Sequence, residues 1–534
     1  MVRSKMTLRT AAAAATLALV TGCGGGDGAG GTGGTIVVGM RSDFGGFNPI
    51  TSDALYSMEL MNYALFTPLI QYDENLQPRP WLAESWQEEG DTAVVFRLRR
   101  DVTWHDGQRV TAEDVKFTFD RAKLPESASL VGSAFLSNVE SATVVDSFTI
   151  RFDYAMPHAQ ALEDFWWAPA PKHLLEGIAP ADMRNAPYNR APVGSGPYRL
   201  TAWEANRQLV IEPYEQFPQS LGGPPSARRI VFRIIPEAST LLTELMTGGV
   251  HVDIPVMPDQ VNQVQEGAST NLLSFPGRTV YFIGWNNQRA PFDDARVRRG
   301  LALALDRQEI IDALLYGQGQ VATSTVPPWH PLYPENTEPL AHDPAAAAAL
   351  LEEAGWTDAN GDGIRDKDGQ PLEFELLVSD DALRRAVAEV VQAQLREVGA
   401  RANIRVTEFQ TMLAAHRGRD FDAVFTNWVL DNFQVASAPN ALLHSSQADI
   451  ENSANRSSVR IPELDALMER ASVASDPEAA RQAWGEFTRV VQQEQPMTFM
   501  FWLNELAGVR DDVGGVEMDP RGEFQTIRDW SLGR

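Results

Sequence analysis

Apolar residues recur at helical spacing in several stretches of the chain, and each stretch is followed closely by a strand pattern. Residues 382–397 have this spacing and end before Gly399, after which residues 402–406 alternate between apolar and polar as a half-buried strand does. Residues 240–246 predict a second helix, which leads through two glycines into a strand at residues 251–256. Repeated helix, glycine and strand units predict α/β lobes.

Helix starts are marked by residues whose side chains accept hydrogen bonds from the first backbone N–H groups of a helix. Asp343, which precedes Pro344, predicts the start of an alanine-rich helix that ends at Gly355. Asp306 predicts a second start, with Glu309 three residues later. A third helix is predicted to begin at Thr111, with Asp114 as the matching acidic residue.

The section from residue 70 to residue 190 has a different pattern. Residues 94–99 and 102–104 are followed by Asp106-Gly107, a turn that is typical of hairpins, and residues 148–154 also alternate as a strand does. This section is therefore predicted to be β-rich.

The first residues have the pattern of an export signal. Arg3, Lys5 and Arg9 precede an apolar run at residues 11–20, which is shorter than the roughly 20 residues that a membrane-spanning helix needs. The run ends in Leu-Val-Thr-Gly-Cys, which resembles the lipobox at which bacterial lipoproteins are cleaved and acylated. We expect a signal peptide at residues 1–22, a lipid on Cys23 and a glycine-rich tether at residues 23–34. The alternative is an ordinary secretory signal with a chance cysteine.

Length, charge and cysteine content narrow the class of protein. A chain of 534 residues exceeds what one hydrophobic core usually supports, so more than one lobe is expected. The formal net charge of −26 makes nucleic acid an improbable partner, because phosphate binding needs a basic face. A single cysteine excludes an intrachain disulfide.

The sequence contains no convincing catalytic motif. The eight histidines never lie three or four residues apart, as a zinc site on one helix face would need. Residues 26–31 match the spacing G-x-G-x-x-G, but they precede a strand where a dinucleotide site would follow one. Residues 194–196 read Gly-Ser-Gly without the outer glycines of a nucleophile elbow, and a plain turn is the better interpretation. We expect a protein that is not an enzyme and that uses no cofactor.

One acidic loop is a candidate calcium-binding site. Asp358, Asn360, Asp362 and Asp366 place oxygen ligands as the first half of a calcium loop does. At the twelfth position, where a bidentate glutamate would complete the shell, the chain has Gly369. The alternative is a solvated acidic turn.

Four stretches resemble the family 5 extracellular solute-binding proteins, which are the peptide-binding subunits of ABC importers. The stretches are the segment around Trp356, PVGSGPYRL from Pro192, YFIGWNNQRAPFDDARVRRGLALALDRQEII from Tyr281, and, from Tyr63, YALFTPLIQYDENLQPRPWLAESWQEEGDTAVVFRLRRDVTWHDGQRVTAEDVKFTFDRA. The resemblance implies an α/β fold of the type II periplasmic-binding-protein class (cluster C-like). Two α/β lobes form a clamshell with an extra β-rich inserted domain.

The same resemblance implies a division of the chain. Lobe I would comprise residues 35–69, 191–283 and 501–534, the extra domain residues 70–190, and lobe II residues 284–500. The chain would cross between the lobes near Trp285 and Phe501, and closure of the two lobes would bury the ligand.

Within the family's peptide binders, an aspartate in a Trp-x-x-Asp segment pairs with the ligand's α-ammonium group, and here the segment ends at Asp431. The alternative is that Asp431 caps or turns a loop after a strand at residues 423–429. After Asp431 the chain departs from the family's usual Asp-Pro, which weakens the assignment to peptides. The aromatic residues Phe47, Trp285, Trp428 and Phe433 are candidates for the cleft walls, although core packing explains each of them equally well.

Together with the export signal, the resemblance to this family implies a monomeric, lipid-anchored receptor outside the cytoplasm, in the periplasm or on the outer cell surface. It would capture a small solute, foremost an oligopeptide, and deliver it to ABC permease subunits. The alternatives are the same fold with a sugar, an opine or a metal chelate as its ligand, or an extracellular sensor or enzyme.

Overall fold

A computed structural model describes residues 34–156, 160–335, 337–430, 433–474 and 476–533. The predicted lipid site Cys23 and the predicted anchor Asp431 lie outside the described residues. Within these ranges, no helix has the length and apolar character needed to cross a membrane.

The strands of the described ranges are β1 (Thr35–Met40), β2 (Ile70–Tyr72), β3 (Pro78–Pro80), β4 (Ala83–Glu88), β5 (Ala93–Leu98), β6 (Val139–Asp146), β7 (Thr149–Tyr154), β8 (Tyr198–Glu204), β9 (Gln208–Pro213), β10 (Arg229–Ile234), β11 (Val252–Ile254), β12 (Thr270–Trp285), β13 (Gly319–Val321), β14 (Asp366–Lys367), β15 (Gln370–Pro371), β16 (Glu373–Ser379), β17 (Arg401–Thr407), β18 (Ala423–Val429), β19 (Met497–Arg510), β20 (Val513–Gly514) and β21 (Ser531–Leu532).

The α-helices of the same ranges are α1 (Leu55–Leu60), α2 (Ala112–Ala122), α3 (Lys172–Leu175), α4 (Ala238–Thr247), α5 (Val261–Gln265), α6 (Ala295–Leu303), α7 (Arg307–Leu314), α8 (Pro344–Glu353), α9 (Ala382–Glu397), α10 (Phe409–Arg417), α11 (Ser437–Leu443), α12 (Pro462–Ser472) and α13 (Pro477–Glu494).

The predicted helix starts are confirmed by hydrogen bonds at the caps. The Asp343 side chain accepts a hydrogen bond from the N–H of Ala346 at the start of α8, and the Asp306 side chain accepts one from the N–H of Glu309 at the start of α7. Thr111 and Asp114 form the predicted capping box of α2. Local sequence therefore fixes where these three helices begin.

One large mixed sheet organises the described chain. Ten of its eleven strands lie in the order β17-β16-β18-β12-β19-β11-β1-β10-β9-β8, and β13 pairs with β19. Strands β16, β17 and β18 are parallel, as the helix, glycine and strand units predicted. A separate antiparallel sheet, β4-β5-β7-β6, lies within the section predicted to be β-rich, and β5 and β7 match the predicted strands to within one residue at each end.

Strands β12 and β19 form a long antiparallel ribbon through the middle of the large sheet. Their register shifts between Pro276 and Thr279, which pair with Asn504 and Leu503, so Gly277 and Arg278 are inserted without partners of their own on β19. Extra residues on one strand bend and twist a ladder locally. We call this feature the ribbon bulge.

The ribbon divides the described chain into two halves. We call residues 34–269 and 511–533 the first half, and residues 286–496 the second half. Within the first half, one large apolar core joins the strands of the large sheet to the antiparallel sheet β4-β5-β7-β6. Further apolar clusters fill the second half. Phe433 belongs to the second half in the chain, yet it packs in the core of the first half. The two halves therefore meet around this residue.

Candidate functional site

The contact between the two halves centres on Phe433, which follows β18. Its ring centroid lies 5.0 Å from that of Tyr72 and 5.0 Å from that of Trp166, both in the first half. The ring of Trp329, from the second half, lies 6.5 Å away. Phe433 is 3% exposed, so the aromatic contact excludes water. We call this interface the seam.

His330 fixes the backbone at Phe433. Its Nε2 lies 3.0 Å from the Phe433 carbonyl oxygen, and its Nδ1 accepts a hydrogen bond from the N–H of Leu332 at 3.0 Å. Because Nδ1 accepts, Nε2 carries the proton and donates it to the carbonyl. Burial lowers the pKa of His330 to about 4, so the ring is neutral at pH 7. The bond from Leu332 orients the ring, and the bond from Nε2 holds the Phe433 carbonyl.

A polar contact crosses the seam beside the aromatic one. Gln434 Nε2 donates a hydrogen bond to Asp164 Oδ1 of the first half. Asp164 is buried and Gln434 is half-buried. A hydrogen bond to a carboxylate at a partly buried position is stronger than one in water. This bond therefore favours one relative orientation of the two halves.

Two cavities lie along the seam, and Gln160 lines both of them. The larger cavity has a volume of about 600 Å³. It is lined by residues 133–134, 137–138, 155–156 and 160 of the first half and by residues 434, 436–437, 440–441, 447 and 472–473 of the second. The smaller has a volume of about 400 Å³, and its walls include Glu163 and Leu332. Both volumes lie in the range of roughly 300 to 1,000 Å³ that is common for small-ligand sites.

A buried ion pair joins the ribbon bulge to the first half. Arg278 Nη2 donates to Glu59 Oε1, and the two side chains are 5% and 0% exposed. Glu59 Oε2 accepts a further hydrogen bond from the N–H of Glu523 at 3.0 Å. Gly522 has φ +132°, and any side chain at this position would overlap the Glu59 carboxylate. The C-terminal segment therefore packs closely over the ion pair.

Arg278 also reaches the seam. Its guanidinium carbon lies 5.7 Å from the centroid of the Phe433 ring, and its carbonyl oxygen accepts a hydrogen bond from the N–H of Leu430 at 3.0 Å. The Gly277 carbonyl accepts a hydrogen bond from Trp329 Nε1 at 2.9 Å. The ribbon bulge thus contacts the segments on either side of the seam.

The carboxyl groups near Arg278 outnumber its single positive charge. Burial, and then the nearby Glu523 carboxylate, raise the pKa of Glu59 well above its usual value, and Arg278 only partly offsets them. The same causes in the same order raise the pKa of Glu505 to about 7, again against Arg278. Glu505 therefore gains or loses a proton within the physiological range.

Glu505→Gln is expected to reduce the dependence of stability on pH. The folded-state pKa of Glu505 is about 7 against 4.5 when unperturbed, so its contribution to stability is full below pH 4.5 and is lost as the pH rises through 7. Between pH 5 and pH 8 this loss amounts to about 2 to 3 kcal/mol. Urea unfolding of parent and variant at the two pH values measures it.

The matched control for this experiment is Glu517→Gln, because the Glu517 side chain is exposed. This control is expected to keep the parent's difference in unfolding free energy between pH 5 and pH 8. An unchanged difference in Glu505→Gln would contradict the prediction.

The aromatic residues predicted from the sequence occupy different surroundings. Trp285 is fully buried, stacks on Phe292 at 4.9 Å and donates from Nε1 to Thr498 Oγ1 at 3.0 Å. Phe47 is fully buried among aromatic side chains of the first half. Trp428 is half-buried on β18, opposite Val280. As ligand contacts these residues stay predictions, and in this structure Trp285 and Phe47 present no surface to the seam.

The acidic loop forms hydrogen bonds with its own backbone. Asp358 accepts from the N–H groups of Gly361 and Gly363 at 2.8 and 3.0 Å, and Asn360 accepts from Asp362 at 2.8 Å. Asp366 accepts from the N–H of Ala359 at 3.3 Å. Among the described residues no group of three or more carboxylate, histidine or cysteine side chains is placed to hold a metal ion. Calcium binding stays a prediction that this geometry does not favour.

Three residues that shape the seam were missed from the sequence: Arg278, His330 and Gln434. The sequence could have indicated the bulge at Arg278, because Pro-Gly-Arg interrupts a stretch with strand character, and this pattern is typical of a bulge. His330 lies among four prolines at residues 327–334, a segment whose restricted backbone also favours a fixed structure. Gln434 had no such signal.

The large sheet, the two halves and the seam cavities form a two-lobed architecture with space for a ligand between the lobes. Residues 77–449 match the model of the bacterial extracellular solute-binding proteins, family 5 Middle, so the chain belongs to that family. It is similar to the oligopeptide-binding protein AppA of Bacillus subtilis, with 28% identity over 94% of this chain and 92% of AppA. The structure of AppA in complex with a nonapeptide has a TM-score of 0.78 and 27% identity, and covers 94% of this chain and all of that one. The predicted clamshell fold is confirmed.

Other relatives differ in what their names say they bind. The nickel-binding periplasmic protein of Escherichia coli is 29% identical over 68% of this chain and 69% of its own length. The dipeptide-binding protein of the same organism is 27% identical over 90% of this chain and 91% of its own length. Membership of the family therefore establishes solute binding, and the kind of solute has to be argued from the site.

Proposed function

We propose that this protein captures a peptide at the seam and delivers it to the permease of an ABC importer, and that it breaks no bond in doing so. The observation that carries the proposal is the pair of cavities between two halves that share one bent ribbon. The similarity to an oligopeptide-binding and a dipeptide-binding protein over nine tenths of the chain supports a peptide ligand.

Capture would work through the ribbon bulge. A ligand that contacts both halves stabilises the arrangement in which they meet, and the population shifts towards that arrangement. The seam contacts of Phe433 and Gln434 favour the same arrangement without ligand, so the ligand has to supply only the remaining free energy.

Titration calorimetry tests the peptide assignment directly. The full mature chain, freed of retained ligand by refolding, is titrated with mixed di- to nonapeptides, with neutral oligosaccharides and with nickel–histidine complexes. We expect heat of binding from the peptides. Binding of only the oligosaccharides or the nickel complexes would refute the peptide assignment and leave solute binding in place.

We propose Asp431 as the anchor for the α-ammonium group of the peptide. The proposal rests on the Trp-x-x-Asp segment and on its described neighbours, since Leu430 bonds to the ribbon bulge and Phe433 lies in the seam. Asp431→Asn is expected to weaken peptide binding by about 10- to 100-fold, because a charge-assisted hydrogen bond is replaced by a neutral one. Calorimetric dissociation constants measure the loss.

The control for Asp431→Asn is Asp420→Asn, the same change at a side chain that is 82% exposed. The control variant should bind as the parent does. N-acetylated peptides, which lack the ammonium group, should bind parent and Asp431→Asn equally. Full affinity of Asp431→Asn for free peptides would eliminate the anchor.

The remaining features of the proposal follow from the first residues of the sequence. A lipid on Cys23 would hold the monomeric receptor at the outer side of the cytoplasmic membrane, and the glycine-rich tether would let it reach the permease. The description of the family as extracellular supports a place outside the cytoplasm.

A further inference from the structure

The larger seam cavity is lined by side-chain amides from both halves. Asn138 and Gln160 come from the first half, and Asn440 and Gln447 from the second. Within the part of the chain that the structure describes, these four side chains make no hydrogen bond to protein. Each amide offers a carbonyl acceptor and two N–H donors, which is the same chemistry as a peptide group. The cavity therefore has unused donors and acceptors on opposite walls.

The other polar residues of the cavity wall are also uncharged. Ser133, Ser137, Ser437 and Ser472 line the cavity together with alanines and Gln434. Among the described residues that line it, there is no aspartate, glutamate, lysine, arginine or histidine. A charged group that enters this space loses part of its hydration and finds no opposite charge on the described walls.

Two apolar side chains that line the cavity are largely exposed to solvent. Met156 of the first half is 74% exposed, and Val473 of the second half is 64% exposed. Both side chains line the same cavity and come from different halves, so a ligand lying in it is able to contact both. Exposed apolar side chains that line a site mark where apolar ligand surface gains free energy by burial.

We propose that the larger seam cavity selects the uncharged part of a peptide: peptide groups and neutral side chains bound by the four amides, with an apolar side chain between Met156 and Val473. The proposal rests on the function proposed above and adds a charge rule to it. The charge rule is that a positively or negatively charged side chain in this cavity weakens binding. The net charge of −26 would not produce this rule, because it would attract lysine-containing peptides and repel only acidic ones. The neutral cavity wall disfavours lysine-containing and acidic peptides alike.

The test uses tetrapeptides Ala-Ala-Ala-Ala in which one position at a time is changed to Asn, Leu, Glu or Lys. Calorimetry with the full chain is expected to give, for at least one position, binding about 10-fold or more weaker for both Glu and Lys than for Asn and Leu. Equal affinities of charged and neutral peptides at every position would overturn the charge rule and leave peptide binding intact. No binding of any peptide would refute the proposed function itself.

A charge introduced into the wall should change the preference. Asn440 is exposed and lies on α11, so Asn440→Asp is expected to fold and to raise the affinity for the Lys peptide relative to the Asn peptide by about 10-fold. Asn440→Ser removes one of the four amides but keeps the wall neutral, so it should weaken binding of the Lys and Asn peptides alike and leave the ratio of their affinities as in the parent. Asn185→Asp adds the same charge at an exposed site outside the cavity and should also leave the preference unchanged. An equal shift in Asn185→Asp would mean that net charge, and not the cavity wall, sets selectivity.

Discussion

Arg278→Met is expected to lower the free energy of unfolding by about 3 to 5 kcal/mol at pH 8, because it removes the only partner on the ribbon from a fully buried Glu59. Methionine fills a similar volume, so the loss reports the charge and only secondarily the packing. The loss should be smaller at pH 5, where the raised pKa of Glu59 and of Glu505 lets these groups take up protons. Urea unfolding at both pH values measures the difference.

Arg289→Met is the matched control for this variant. Arg289 pairs with Asp420 and Asp422, but its side chain is 46% exposed, and exposed ion pairs contribute only about 0 to 1 kcal/mol. A second variant, Arg278→Met combined with Glu59→Gln, should regain part of the lost stability because the unpaired charge is gone. Equal losses of unfolding free energy in the Arg278 and Arg289 variants would show that the buried ion pair stabilises the protein no more than an exposed one does.

Phe433→Ala is expected to weaken peptide binding by about 10- to 100-fold. The ring is buried against Tyr72 and Trp166 of the other half, and burial of a phenylalanine contributes about 1.5 to 3 kcal/mol. That free energy favours the arrangement in which the halves meet, so its loss lowers the fraction of molecules ready to bind. Calorimetry gives the affinity, and small-angle X-ray scattering without ligand should show a larger radius of gyration.

The control for the seam is Phe421→Ala. Phe421 is 2% exposed, but it packs on Met412 and Leu377 within the second half alone. This control should lose stability, as cavity-forming substitutions do, and keep the parent's radius of gyration and affinity for peptide. If Phe433→Ala lost stability to the same extent and kept full affinity, the seam would not be part of the binding equilibrium.

Local sequence was enough to predict where several elements of this fold begin and end. The caps at Asp343 and Asp306 and the stop at Gly399 depend on residues within a few positions of one another, and the structure confirms each. The parallel strands β16 and β17, joined by α9, follow from the same short-range pattern. Such features need no knowledge of distant parts of the chain.

The seam could not be predicted in this way, because its contacts join residues that are far apart in sequence. Arg278 and Glu59 are 219 positions apart, and Gln434 and Asp164 are 270 positions apart. Phe433 was a candidate, but Phe47 and Trp285 ranked above it, and both are fully buried in this structure. An aromatic residue in a core and one between two lobes have the same local pattern, so only the fold separates them.

The position of β19 has a consequence for the order in which the protein can assemble. This strand comes near the end of the chain, yet it lies between β12 and β11, and β11 in turn is the neighbour of β1. While the ribosome is still making the chain, β11 and β12 each have an unpaired edge, and such edges invite wrong pairing. Because β19 completes the middle of the large sheet, this sheet reaches its native topology only after β19 has been synthesised, and until then the edges of β11 and β12 have to be kept from wrong pairing.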